Sequence, residues 1–293
     1  MKNYLSSFLK TICVAALHPA VLFAVFSALP ASIGAQEIIE RNTPPDSKEF
    51  SPYEKDAARN YPDYYTINKD SVRVKLLEVR EEPDMSYVTL KEMPPKDLAG
   101  ILVTLDTIVN IATKAWDIVK DNKPVVNLDT KYATAYPQGV TTASQLSQWS
   151  KPKTYVYGFY AENLYGGVMI DSKHKVIFTY NGSYKGKGKY LTAVTVVPTV
   201  ANVSWGYRFY MSASVPDSTI ANVGTDADPV AAMQLKLTWR MSSSLKVVEG
   251  TSVYYIQGDG YFDEIASPWR KDWKKAEDIK AAAPLLLDPA KVF

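Results

Sequence analysis

Met233, Leu235, Leu237, Trp239 and Met241 alternate without a break with Gln234, Lys236, Thr238 and Arg240. A period of two puts every second side chain on one face of an extended strand, so this stretch folds only where one face meets a core and the other meets water. Val203, Trp205, Tyr207, Phe209 and Met211 repeat the pattern against Asn202, Ser204, Gly206, Arg208 and Tyr210. Weaker strand patterns fall at 154–161, 168–170, 176–180, 189–197 and 253–256. They are separated by Tyr165-Gly166-Gly167, Asp171 to His174, Asn181-Gly182, Pro198 and Ser242 to Ser244. Some seven short strands at hairpin spacing predict an antiparallel β-sandwich, with a barrel as the alternative.

The stretch Tyr180 to Leu191, YNGSYKGKGKYL, has the glycines and lysines of a phosphate loop but not its spacing, and a strand rather than a helix follows it. Asn181-Gly182 predicts the two-residue turn of a hairpin. On that reading Lys185, Lys187 and Lys189 share one face of a lysine-protected edge strand, and their functional alternative is an anion-binding ledge.

A second periodicity competes before residue 124. Leu98, Leu102, Leu105, Val109, Ala112, Trp116 and Val119 step by four and three, with Ile101, Ile108 and Ala115 widening the face. Pro94-Pro95-Lys96-Asp97 precedes this run and Asn122-Lys123-Pro124 follows it. The pattern predicts one long amphipathic helix, about 35 Å in length at 1.5 Å per residue, lying across the sheets. The full expectation is therefore mainly β within an α+β class: a β-sandwich over 124–266, a long helix over 94–123, and a strand pair over 72–93. A short helix begins at Ser267-Pro268 and gives way to a packed tail ending at 293.

The chain opens with Lys2 and Lys10 and no acid, runs apolar from Ile12 to Leu29, and reaches Ser32-Ile33-Gly34-Ala35. That order predicts a secretory signal peptide over 1–35 and an exported protein, periplasmic or extracellular. The alternative is an uncleaved anchor over 11–29, against which His18-Pro19 argues. Cys13 lacks the small preceding residue of a lipid-attachment site. Residues 36–71 are polar, proline-bearing and aperiodic, and read as a flexible tether whose tyrosines and Phe50 could dock on the domain. Without Lys2, Lys10 and Cys13, the chain has 31 basic residues, 31 acids and no cysteine. A formally neutral surface argues against nucleic acid as a partner, and stability has to come from a core rather than disulfides.

Catalytic chemistry is thinly supplied. The one histidine beyond residue 35 is His174, and its neighbours Asp171 and Ser172 crowd the same predicted turn instead of converging from separate elements. No catalytic residue, metal or cofactor is assigned. Asp226 and Asp228 in GTDADP, and Asp259, Asp263 and Glu264 in GDGYFDE, are candidate oxygen ligands for calcium. A pair of these acids is also the minimum for a carbohydrate-active enzyme. Tyr and Trp carry recognition well, because a large rigid ring costs little entropy to immobilise. Tyr210 on the polar face of its strand and Tyr254 are therefore candidate ligand contacts, alongside the three lysines. Trp269, Trp273, Lys274 and Lys275 are candidate membrane or partner contacts on the C-terminal helix.

The leading expectation is a non-catalytic binding or structural module of the envelope or extracellular space, with a protein or glycan partner. The membrane-active alternative uses the 98–119 or the 267–280 helix as its inserting element.

Overall fold

Residues 38–82, 91–92, 94–95, 101–125 and 131–268 are described by the computed structural model, and strands account for most of them. In chain order the elements are β1 (Ile39–Asn42), α1 (Pro52–Asn60), α2 (Pro62–Tyr65), β2 (Ile67–Glu81), β3 (Thr104–Val109), β4 (Ala115–Lys120) and β5 (Lys123–Pro124). They continue with β6 (Ala133–Gln138), β7 (Lys153–Asn163), β8 (Val168–Tyr184), β9 (Lys187–Val203) and β10 (Tyr207–Ser214). The last four are β11 (Ala221–Asn222), β12 (Ala231–Ser243), β13 (Lys246–Gln257) and β14 (Phe262–Ala266).

Two antiparallel sheets result. One runs β1-β13-β12-β10-β4-β5, with β11 added on β12 and β14 on β13; the other runs β2-β7-β8-β9-β6-β3. The predicted alternation in β12 is realised in full, since Met233, Leu235, Leu237, Trp239 and Met241 are all completely buried. Their partners on β13 complete the inner face in register: Met233 opposite Ile256, Leu235 opposite Tyr254, Trp239 opposite Gly250. Rings from the two sheets meet in the interior. Phe159 on β7 lies 4.9 Å from Phe209 and 5.0 Å from Trp239, and Tyr157 lies 5.2 Å from Tyr254. These edge-on and tilted contacts add to an aromatic core whose burial supplies most of the stabilisation.

Several expectations are corrected. The long helix over 94–123 is not formed: 104–109 is β3 at the edge of one sheet, and 115–120 is β4 in the other. β-Branched residues dominate the decisive positions, Thr104, Thr107, Ile108, Val109, Ile118 and Val119, and these lose χ1 freedom in a helix. The supposed helix stop is a hairpin turn between β4 and β5, in which Asp121 (φ 48°) and Asn122 (φ 67°) both take the left-handed conformation of a type I′ turn. Asn122 secures it by accepting from Phe209 N–H at 2.6 Å and donating to the Tyr207 carbonyl at 2.9 Å. β2 contains Val72 to Val79 and pairs with β7; of the strand predicted at 87–91, residues 87–90 lie outside the described residues. The helix predicted from Ser267-Pro268 onward also lies, beyond residue 268, outside the described residues. No helix among the described residues is long and apolar enough to cross a membrane.

The segment read as a tether is ordered over residues 38–71. β1 pairs with β13, after which the chain crosses the outer face of the first sheet and enters β2 at the edge of the second. Ser51 caps α1 in a reciprocal capping box with Glu54, and Pro52 occupies the first turn. Phe50 is buried beneath the Arg208 guanidinium, 5.0 Å from its ring centroid. Glu49 binds Arg240 through two 3.0 Å hydrogen bonds, and Glu54 binds Arg208 at 2.8 Å. Burial acts to raise both carboxyls. The hydrogen bonds and charge of Arg240 for Glu49, and those of Ser51 and Arg208 for Glu54, outweigh it and leave both pKa values lowered.

Candidate functional site

One end of the molecule is built from three segments far apart in sequence: the α1–α2 corner, the β7–β8 turn, and the turn from β9 into β10. The last of these presents Trp205. Gly206 takes a φ of +83°, and a Cβ there would stand 2.4 Å from the Tyr65 ring, so the turn closes against that ring only with glycine. Tyr207 N–H donates to the Ser204 carbonyl at 3.2 Å and Ser204 N–H to Met169 at 2.8 Å, fixing the turn to β8. Trp205 was assigned by alternation to the buried face. It is 54% exposed, because β10 begins only at Tyr207 and the Gly206 turn breaks the alternation before it.

The corner is equally well anchored. Tyr65 is buried and stacks on Tyr207 at 6.3 Å and 11°, and the Tyr207 hydroxyl donates to the Tyr64 carbonyl. From this base Tyr53, 73% exposed, reaches to 5.7 Å from the Trp205 ring. In the β7–β8 turn the Asn163 side-chain carbonyl accepts from the N–H of Tyr165 at 3.0 Å and of Gly167 at 2.9 Å. Leu164 N–H points at the carbonyls of Asp63 and Thr66, which ties this turn to α2. Tyr53, Tyr61, Leu164, Tyr165, Val168 and Trp205 are thereby exposed on one end. Water-facing side chains of this size are ordinary when scattered; gathered on rigid turns they make a candidate contact surface.

A polar row adjoins the aromatic end on the outer face of the second sheet. Arg73, Tyr160, Asp171 and Asn202 are successive cross-strand partners on β2, β7, β8 and β9, so their side chains stand side by side. The Arg73 guanidinium lies 4.0 Å over the Tyr160 ring, whose hydroxyl donates to Glu162 at 2.7 Å. That hydrogen bond raises the Tyr160 pKa and keeps the proton on the phenol. Beside the row lies a shallow concavity of about 360 Å³, lined by Val168, Met169, Asp171, Ala201, Asn202, Val203 and Ser204. A smaller cavity of about 110 Å³ is lined in part by Glu92, Tyr132 and Tyr136. There the Tyr136 hydroxyl is taken up by Thr192 at 2.6 Å and Glu92 at 3.2 Å.

The residues singled out from sequence fall elsewhere. The β8–β9 hairpin exists, but its turn is Lys185-Gly186 (φ 51° and 77°), four residues beyond Asn181-Gly182. Asn181-Gly182 lies inside β8 because Gly182 lets Trp149 pack on the backbone, where a Cβ would stand 2.2 Å from the indole. Lys185, Lys187 and Lys189 are exposed at the hairpin end, yet β9 is an inner strand between β8 and β6 and not an edge. Tyr210 is committed to structure, donating to Asp121 at 2.6 Å with Arg240 5.5 Å over its ring. Tyr254 is fully buried and inaccessible to a ligand.

Among the acids, Asp228 accepts from Gly188 N–H at 2.9 Å, and Asp259 accepts from Tyr261 N–H at 3.0 Å within its own turn. Asp226 lies in the loop before β12, and Asp263 and Glu264 lie on β14. None of these five acids lines either concavity, and no group of three or more His, Cys, Asp or Glu side chains suited to a metal occurs among the described residues. Trp269, Trp273, Lys274 and Lys275 lie outside the described residues.

His174 is not in a turn. The predicted turn at Asp171 to His174 lies within the first half of β8, with Ser172 and His174 buried and Asp171 and Lys173 exposed. The imidazole lies nearly parallel to the Tyr157 ring at 5.6 Å, and neither ring nitrogen has a hydrogen-bond partner among the described residues. Burial pushes its pKa down to about 3, so the ring is neutral.

A comparison of the sequence with protein-family models finds no match, and neither does one with curated proteins or with solved structures.

Proposed function

We propose that the protein is an exported, non-catalytic β-sandwich that works as a binding module of the cell envelope or extracellular space and engages its partner through the aromatic end. The observation that carries this reading is the gathering of Tyr53, Tyr61, Leu164, Tyr165, Val168 and Trp205, six of the eleven exposed large hydrophobic side chains among the described residues, on three mutually anchored turns. Rigid scaffolding lowers the entropy lost on binding, which is the condition under which exposed aromatics become anchors. The membrane-active alternative through 98–119 loses its inserting helix, since that segment forms strands in both sheets.

The test is co-sedimentation of the purified protein with insoluble cell-envelope material of the source organism. Replacing both Trp205 and Tyr53 by alanine is expected to weaken binding at least tenfold, equivalent to about 1.4 kcal/mol, the scale of a modest binding anchor. The thermal midpoint should stay unchanged, because both rings are exposed. Undiminished binding by the double variant contradicts the reading.

A further inference from the structure

We infer that the concavity between Asp171, Asn202 and Ser204 is a subsite for an uncharged sugar ring, with Trp205, the next residue in the chain after Ser204, supplying a stacking face. The inference rests on the aromatic end being the binding surface and names the chemistry of what it binds. A pyranose presents two unlike surfaces, an apolar face of C–H bonds and an edge of hydroxyls. The site offers a counterpart to each.

Asp171 and Asn202 are directly paired across β8 and β9, so a carboxylate and an amide stand adjacent at the spacing of a cross-strand pair. Both are exposed and turned outward. A carboxylate accepts from two neighbouring hydroxyls, and an amide both donates and accepts, which is the combination a vicinal diol satisfies. Ser204 completes the rim, its hydroxyl now donating to the Val168 carbonyl at 3.2 Å. Ser204 is followed directly in the chain by Trp205, whose exposed indole is held on the rigid Gly206 turn. The concavity, about 360 Å³, falls within the range of small-ligand sites of roughly 300–1,000 Å³.

The charges favour a neutral ligand. Arg73, the cation of the row, stacks on Tyr160 and faces Glu162 at 3.9 Å, so it is engaged before any ligand arrives. Lys173 is exposed two residues along β8, but the Asp171 carboxylate lies at the concavity itself and opposes phosphate, sulfate or uronate groups. A protein interface of ordinary affinity buries about 1,600 Å² around a dry centre. This concavity is small and shallow, and Asp171, Asn202 and Ser204 bring hydrogen-bonding groups to it beside Val168, Met169, Ala201 and Val203.

The experiment repeats the co-sedimentation with envelope material treated in one arm with periodate, which cleaves vicinal diols, and in another with protease. Binding is expected to survive protease, to be lost after periodate, and to fall about tenfold or more in Asp171→Ala and in Asn202→Ala. Binding that survives periodate, or that protease abolishes, overturns the sugar assignment while leaving the aromatic end as the surface, provided Trp205→Ala still weakens it. Binding that withstands both treatments points to lipid and likewise overturns it. If untreated material is not bound at all, the aromatic-end reading itself fails.

Discussion

At pH 5 the protein is expected to be about 2 kcal/mol less stable than at pH 7.5, and His174→Phe is expected to remove most of that difference. The unfolded chain protonates its histidine near pH 6.5, whereas the buried imidazole resists protonation until about pH 3. A group whose folded pKa is depressed in this way costs nothing while both states are neutral, above pH 6.5. As pH falls below that value the unfolded state binds a proton that the folded state does not, and stability drops by up to about 1.4 kcal/mol per pH unit.

Around the ring, Tyr157 on β7 and Pro198 on β9 are the cross-strand partners of His174, and burial is the sole cause of its shift. Glu49 and Glu54, whose carboxyls are lowered from 4.5, contribute only below about pH 5 and leave the window clear. Urea midpoints of the wild type and of His174→Phe at the two pH values measure the effect as a difference of differences. A general cost of the substitution therefore cancels. An equal pH dependence in both proteins contradicts a neutral buried imidazole.

Trp239→Ala is expected to cost about 3–5 kcal/mol, the range for truncating a large core aromatic. The indole is fully buried, meets Phe159 across the sheets at 5.0 Å, and lies over Gly250, where a Cβ would stand 2.5 Å from its ring. Removing it empties the space that the glycine opposite exists to provide, so the walls have little to collapse with. For a chain of this length the loss corresponds to roughly 10 °C in thermal midpoint. Trp205→Ala on the surface is expected to stay within about 0.5 kcal/mol of wild type. The pair of scans separates the tryptophan that holds the fold from the one exposed at the aromatic end. A small shift for Trp239→Ala would mean that the two inner faces do not meet where the ring contacts place them.

The sequence was most legible where one rule decided each residue. β12 satisfies strict alternation because both of its neighbours in the sheet are long strands and its two faces have different fates. Legibility failed where two periodicities fitted the same letters. The apolar positions from Leu98 to Val119 match a 3.5-residue repeat, but their β-branched content and the Asp121-Asn122 turn favour β3, β4 and β5. The polar run Asp171-Ser172-Lys173-His174 looked like a turn, although its alternation continues that of Ile170 and Val176, and a buried serine and histidine take core positions in β8. In the supposed tether the readable cue was Ser51-Pro52-Tyr53-Glu54, a capping box with proline at the first helical position.

The aromatic end was not legible in position. Solvent-facing rings were expected at Tyr210 and Tyr254, but these are consumed by an outer-face network and by the core. Tyr53, Tyr165 and Trp205 come together only through the topology that brings α1, the β7–β8 turn and the β9–β10 turn to one end. No local pattern encodes the meeting of α1 with two turns that lie more than a hundred residues further along the chain. Trp205 in particular is set free by Gly206, whose positive φ ends one alternating run and starts another.

The most direct test of the aromatic end as the binding surface is oxidative footprinting of the purified protein, alone and with envelope material, read residue by residue. The account predicts that Trp205, Tyr53, Tyr61 and Tyr165 become protected on binding while Tyr261, exposed in the β13–β14 turn, is oxidised as before. Protection of Tyr261 with Trp205 unchanged would place the binding surface elsewhere and contradict the account.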